Sequence, residues 1–241
     1  MRAETRHQLK QDKFSKATIQ VAEQTVHWTV EHKNKLMVAG LVVLLLVGAA
    51  LGSWYYLAQQ DDKASVDLSK GVIALETAVR APGAPAQPDS PSFASTGDRA
   101  KEAHQLFQSV IDRYPHTRAA DFARYFLGVT AAQLGDNAAA ERELRAVGGY
   151  HNADLSSLAK LALASLYANT HRDKEAIDIY KQLMSKPTRT VSKSAAEIEL
   201  AESYRAAGLT AEAKKLYQQI QKESPQSEAA QLASTKLQDL K

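Results

Sequence analysis

The chain has 241 residues, of which 44% are hydrophobic and 24% are charged, and its formal net charge is +3. Residues 1–35 hold seven basic and four acidic residues, so they account for the whole excess and leave the rest neutral. A neutral domain lacks the positive surface that a phosphate backbone requires, which argues against nucleic acid as a partner. The absence of cysteine excludes a thiol nucleophile and fits an oxidising compartment.

Residues 1–35 form a basic head. Ile19, Ala22, Val26 and Val30 recur at helical spacing before the apolar segment. This pattern is compatible with a short interfacial helix and equally with a weakly structured cytoplasmic tail. The positive charge favours contact with anionic lipids.

Residues 36–57 contain no charged side chain over 22 positions. At about 1.5 Å per residue, a helix of this length crosses a hydrocarbon core of about 30 Å. A cleaved signal peptide is the competing interpretation, but it has a short leader and an apolar run of about 7–15 residues. Here 35 residues come first, and aromatic residues 54–56 end the run at headgroup level. We therefore predict a transmembrane helix that stays in the mature protein.

The charges on either side of the span predict its orientation. Basic residues precede the span, whereas Asp61 and Asp62 follow it. Positive flanks stay in the cytoplasm, so the N-terminus is predicted inside and the C-terminal domain outside. We predict a single-pass protein of the bacterial inner membrane with a periplasmic C-terminal domain.

The span contains a motif that allows another helix to approach closely. Gly48 and Gly52 are four positions apart, as in the small-x-x-x-small faces of membrane helix pairs. A packing site against a second span is one interpretation, and a chance pattern in an apolar helix is the other.

Residues 58–80 are predicted to form a membrane-proximal helix that packs against residues 99–114. Its apolar stripe at helical spacing consists of Leu68, Val72, Leu75 and Val79. Residues 81–97 are rich in Pro, Ser and Gly, which predicts a flexible surface loop.

Residues 98–241 contain a sequence repeated four times. Each copy has a small residue, a larger apolar residue four positions later and another after three more, which is one face of a packed helix. The small residues, spaced by 36 or 37, are Ala103, Ala140, Ala176 and Ala213. The larger residues that follow are Phe107, Leu144, Tyr180 and Tyr217, and then Val110, Val147, Leu183 and Ile220.

A second helical pattern precedes each of the last three copies. Gly135 and Gly208 lie between paired helices, where glycine tolerates the left-handed backbone that ends a helix. Ser227 is positioned to cap a closing helix over the last apolar face. We find no alternating strand pattern, so the predicted fold is all-α, a solenoid of antiparallel helix hairpins.

This repeat resembles the tetratricopeptide repeat family. The family's Leu-Gly pair is matched by Leu127-Gly128, Leu163-Ala164 and Leu200-Ala201, and its next aromatic by Tyr167 and Tyr204. The resemblance implies a protein-binding groove lined by the first helix of each repeat. The groove positions carried over to this sequence are Phe122, Tyr125, Val129, Leu158, Leu161, Ser165, Ile198 and Glu202. Their apolar character suits an extended or helical peptide; in the alternative, half of them pack between hairpins.

The order of the segments supports a narrower resemblance. A basic head, an apolar span ending in the aromatic residues 54–56 and a repeat domain are similar in architecture to the ancillary SecYEG translocon subunit (YfgM-like) family. That resemblance implies SecYEG and periplasmic chaperones as partners. The alternative function is a cell-envelope scaffold that coordinates division, outer-membrane constriction or peptidoglycan synthesis.

The chain shows few residues suited to catalysis. His27 and His32 are five positions apart, so they do not share a helix face on which to bind one metal. The sequence has neither a glycine-rich phosphate loop nor a serine-nucleophile motif. We predict no enzymatic activity, no catalytic residue, no cofactor or metal, and no small-molecule substrate.

Overall fold

A computed structural model describes residues 32–81, 83–85, 91–223 and 225–240. Within these ranges it contains nine α-helices and no strand, which confirms the all-α prediction. The helices are α1 (Lys33–Glu76), α2 (Thr96–Arg113), α3 (Arg118–Gln133), α4 (Asn137–Gly148), α5 (Ala153–Asn169), α6 (Asp173–Ser185), α7 (Lys193–Ala206), α8 (Thr210–Glu223) and α9 (Glu228–Asp239). The interfacial helix predicted in the basic head lies outside the described residues.

The chain divides into two compact units, Met1–Tyr56 and Leu57–Lys241. In the described part of the first unit, the apolar side chains of α1 are exposed, and no residue of its most apolar stretch is buried. A helix in a soluble core would bury such a surface. By length and composition, α1 is able to cross a membrane.

In the second unit the helices pair as antiparallel hairpins. Residues 57–76 of α1 pack on α2, followed by the pairs α3–α4, α5–α6 and α7–α8, while α9 packs on α7 and α8. We call the first member of each pair its first helix. The predicted small residues Ala103, Ala140, Ala176 and Ala213 are all 0% exposed. Their complete burial confirms the predicted close crossing of the paired helices.

Gly71 lies at the crossing of the first hairpin, where the membrane-proximal part of α1 packs against α2 as the sequence predicts. A Cβ atom at Gly71 would lie 2.4 Å from the Phe107 ring, as one at Gly128 would lie 2.8 Å from the Leu144 side chain. The two glycines therefore have the same role, and the array begins within α1 rather than at residue 98.

The connection between α1 and α2 differs from the predicted one. The helix predicted over 58–80 ends at Glu76, and the residues after it pair with residue 93 instead of continuing the helix. The N–H of Phe93 donates to the Ala78 carbonyl, and the N–H of Arg80 donates to the Phe93 carbonyl. Phe93 also packs on the core. The described end of the 81–97 segment is thus ordered, and its last two residues are helical.

The turn inside each of the last three hairpins contains a residue with a left-handed backbone conformation. Gly135 and Gly208 have φ angles of 82° and 75°, as predicted, and His171 has a φ of 60° at the corresponding turn between α5 and α6. The side chain of Ser227 accepts a hydrogen bond from the Ala230 N–H, which confirms the predicted cap of α9.

Glu141 joins the second hairpin to the third. Its carboxylate accepts hydrogen bonds from the Tyr167 hydroxyl at 2.8 Å and from the Arg172 guanidinium, and it pairs with Arg145 at 2.7 Å. The Arg172 guanidinium also lies 4.0 Å from the centroid of the Tyr167 ring. The hydrogen bonds from Arg172 and Tyr167 hold the pKa of Glu141 below its usual value. The ionised carboxylate therefore stabilises the contact between hairpins.

We predict that Gly71→Ala destabilises the array by about 1–3 kcal/mol, since the added methyl group overlaps the buried Phe107 ring. The matched control is Gly97→Ala, another helical glycine, where the nearest atom to a Cβ is the Ser95 hydroxyl at 3.6 Å. Alanine at residue 97 should be neutral or stabilising because it favours the helix. Thermal unfolding by circular dichroism of the full chain in detergent compares the two. Equal or higher stability of Gly71→Ala would contradict the packing described.

We predict a pH-dependent cost for Glu141→Gln. A carboxyl whose pKa is lowered by folding stabilises the fold above its unfolded pKa, near 4.5, and this contribution is lost as the pH falls through the folded value. At pH 7 the substitution should lower the free energy of unfolding by about 1 kcal/mol, and the difference should be smaller at pH 3 than at pH 7. Glu102→Gln, at an exposed carboxyl with no ion pair among the described residues, is the control. Unfolding midpoints that differ equally at both pH values would refute the prediction.

Candidate protein-binding groove

The predicted groove residues fall on three first helices. Positions 122, 125 and 129 of α3 and positions 158, 161 and 165 of α5 follow the spacing i, i+3 and i+7, which puts each set on one helix face. The structure distributes the eight residues among exposed, half-buried and buried positions, so each helix is described in turn.

On α3 the face is apolar and supported by an aromatic stack. Phe122 is 38% exposed, whereas Tyr125 and Val129 are half-buried and pack against the core. The Tyr125 ring lies edge-on to Phe126 at 5.1 Å, and Phe126 stacks on Phe107 at 5.0 Å. Burial raises the pKa of the Tyr125 hydroxyl, which favours its neutral form still further. A partner would meet a rigid, uncharged surface here.

On α5 the face leads into a pocket. Leu158 and Leu161 are half-buried, and Ser165 is exposed. Ser165 and Val129 line the same pocket, about 410 Å³ in volume, between α3, α4 and α5. The pocket has a floor that includes Leu144 and a rim of amide side chains, Gln133, Asn137 and Asn169. None of the described residues that line it is charged, so it favours neutral groups.

On α7 the two predicted groove residues are not free, and the prediction is corrected there. Ile198 is only 8% exposed and belongs to the core. The carboxylate of Glu202 accepts a hydrogen bond from the Tyr217 hydroxyl at 2.8 Å and pairs with Arg205 at 2.7 Å and with Lys236 at 3.0 Å. Lys236 lies on α9, which packs over α7. The closing helix thus ends the open groove, and six of the eight residues remain.

The remaining predictions concern the glycine pair of the apolar segment and metal binding. A Cβ atom at Gly48 or Gly52 would meet no atom within 4 Å, so both glycines lie on open helix surface and their packing role stays a prediction. In the described part of the chain, no group of three or more His, Asp or Glu residues is placed to hold a metal ion. His27 lies outside that part.

Two features of this site have no clear signal in the sequence. The pocket beside Ser165 depends on how three helices diverge, and the closure by α9 depends on an ion pair between residues 34 positions apart, Glu202 and Lys236. The sequence gives only a weak signal for the pocket. Amide residues lie near the C-terminal ends of α3 and α5, which are the same end of successive hairpins.

Comparison with known proteins supports the repeat fold. The family model of the tetratricopeptide repeat-like domain matches residues 26–241, which include the apolar segment and all nine described helices. Comparisons with curated proteins and with solved structures find no match. Because the matched residues make up most of the chain, it belongs to the tetratricopeptide repeat-like domain family.

Proposed function

We propose that this protein is a membrane-anchored adaptor that binds a segment of a partner protein in the groove formed by α3 and α5. The observation that carries the proposal is an apolar face, made of the exposed Phe122 and the half-buried Tyr125 and Leu158, next to an uncharged pocket. Repeats of this family form a protein-interaction fold. Exposed apolar surface that leads into a pocket is typical of a binding site.

The pocket suggests how such a segment is held. An apolar side chain of the segment enters the pocket and contacts Leu144 and Val129. Gln133, Asn137 and Asn169 each carry a donor and an acceptor, which suits the N–H and C=O groups of an extended backbone. The absence of charge among the described lining residues disfavours a charged side chain at this point.

The anchor determines where binding takes place. The apolar segment of α1 has the length of a membrane span, and the basic head favours a cytoplasmic N-terminus. The repeats then face the periplasm of a bacterial inner membrane, and tethering raises their local concentration near other membrane proteins. In agreement with the architecture of the YfgM-like family, we assign SecYEG and periplasmic chaperones as the partners.

A cell-envelope scaffold is the second candidate function. The groove chemistry serves it equally, since fold and groove do not specify which polypeptide is bound. What distinguishes the candidates is the identity of the captured proteins.

We predict that full-length protein purified in mild detergent carries SecYEG subunits and periplasmic chaperones, and that Phe122→Lys abolishes this capture. Phe122 is 38% exposed, so lysine there should leave the helical content and the unfolding midpoint unchanged. Lys214→Met, on the exposed surface of α8, is the control and should retain the partners. Quantitative mass spectrometry compares the three preparations.

Three outcomes are informative. Division or wall-synthesis proteins that are lost in Phe122→Lys would replace the translocon assignment with the scaffold function. Partners retained at full level by a folded Phe122→Lys variant would contradict the groove. Equal loss in both variants would show that capture does not involve this face.

A further inference from the structure

Every first helix carries a charged residue four positions before its small crossing residue. The charged residues are Asp67, Arg124, Lys160 and Glu197, and the small residues are Gly71, Gly128, Ala164 and Ala201. Residues four apart lie on the same helix face, so each charge lies beside the place where the hairpin's helices cross. Asp67, Arg124 and Lys160 are half-buried and Glu197 is buried. Charges removed from water in this way need a counter-charge or a hydrogen-bond partner.

Three of these charges have an ionic partner within the chain. The pairs, measured between nitrogen and carboxylate oxygen, are Asp67–Lys70 at 2.7 Å, Arg124–Glu143 at 3.6 Å and Glu197–Lys193 at 3.2 Å. Two of these charged residues also form a hydrogen bond with a tyrosine hydroxyl. The Tyr114 hydroxyl donates to Asp67, and the Arg124 guanidinium donates to the Tyr150 hydroxyl. An ion pair at this position is therefore common to the other three hairpins, and at Glu197 it is the only contact of Oε1, which accepts no hydrogen bond from the described residues.

Lys160, in the third hairpin, is the exception. It is half-buried and forms no ion pair with any described residue. It lines a pocket of about 460 Å³ between α4, α5 and α6, on a different side of α5 from the groove. Its stem lies beside Gly148, where an added Cβ would be 3.5 Å from the Lys160 Cγ atom. Lys160 thus lines a cavity and has no ion pair in the described part of the chain, whereas the corresponding charge of each other hairpin has one.

The remaining charges around this pocket do not neutralise Lys160. Arg145 is held by Glu141 and by the Tyr167 hydroxyl, and Glu175 is paired with Arg172. Asp178 is exposed, so water solvates its carboxylate. Below the charged rim, Leu163, Tyr167 and Ile179 form an apolar floor.

We propose that this pocket binds an acidic side chain, Asp or Glu, of an extended partner segment, with a neighbouring apolar residue on the floor. The carboxylate of the partner accepts a charge-assisted hydrogen bond from Lys160. It thereby supplies the opposite charge that the other hairpins supply from within the chain. The volume of about 460 Å³ is within the range of about 300–1,000 Å³ that is usual for ligand pockets. The site differs in chemistry from the neutral groove and stands independently of it.

The test uses the full chain in detergent and two peptide probes. Both are dodecapeptides of glycine and serine with blocked termini and a neutral fluorophore; one carries a central Leu-Glu-Phe, the other Leu-Gln-Phe. Fluorescence anisotropy should give at least about tenfold tighter binding of the glutamate peptide, the ratio expected for a charge-assisted hydrogen bond. Lys160→Met, which keeps the unbranched apolar stem, should reduce this ratio to about one.

Lys174→Met is the matched control, because Lys174 is exposed on α6 and does not line the pocket. It should leave the ratio unchanged, and circular dichroism should show that both variants are folded. Equal binding of the two peptides to the natural chain, or no saturable binding of the glutamate peptide below about 1 mM, would overturn the proposal. A ratio that survives in folded Lys160→Met would also overturn it.

Discussion

The array depends on helices that cross at residues too small to hold them apart. Ala103, Ala140, Ala176 and Ala213 are completely buried on the second helices, and glycine or alanine lies opposite on the first. A bulky residue fits beside each crossing only because its neighbour has almost no side chain, as the Phe107 ring does against Gly71. This constraint sets the direction of each hairpin, and thereby which side chains reach the groove.

The constraint also explains how charges are distributed in the described second unit. Close crossings leave a buried or half-buried charge on each first helix, and three of the four pair with an opposite charge. Asp67 and Glu197 pair with a lysine of the same helix, and Arg124 pairs with Glu143 of α4. Glu141 and Glu202 show the same principle between hairpins, since each carboxylate pairs with guanidinium or ammonium groups and accepts a tyrosine hydroxyl bond. The groove residues on α3 and α5 are uncharged, so the surface proposed to bind partners differs in chemistry from the contacts that hold the array together.

Most of the fold could be predicted from the sequence, because helix crossings repeat at a spacing of 36 or 37 residues. The helix crossing at Gly71 could not be predicted, since the longer connection between α1 and α2 breaks that spacing. A single glycine in a sequence also does not reveal which residue it contacts. The groove positions on α3 and α5 were carried over from the family pattern, and their role in binding stays a prediction. Ile198 is buried in the core and Glu202 pairs with Lys236 of α9, and these are tertiary contacts that no local pattern encodes.

The proposed adaptor role joins this binding surface to an anchor. A backbone in hydrocarbon must satisfy its own hydrogen bonds, which a helix such as the apolar part of α1 does. The family match from residue 26 onward includes this apolar part together with the repeats. Binding outside the cytoplasm is the central claim, because it decides which polypeptides can reach the groove.

Alkaline phosphatase, which is active only outside the cytoplasm, tests this claim when it is fused after the last residue of the chain. The account predicts an active enzyme in this fusion and an inactive one in a control fused after residue 35, ahead of the apolar segment. An inactive C-terminal fusion, together with activity of a cytoplasmic reporter at the same position, would place the repeats inside the cell and contradict the account.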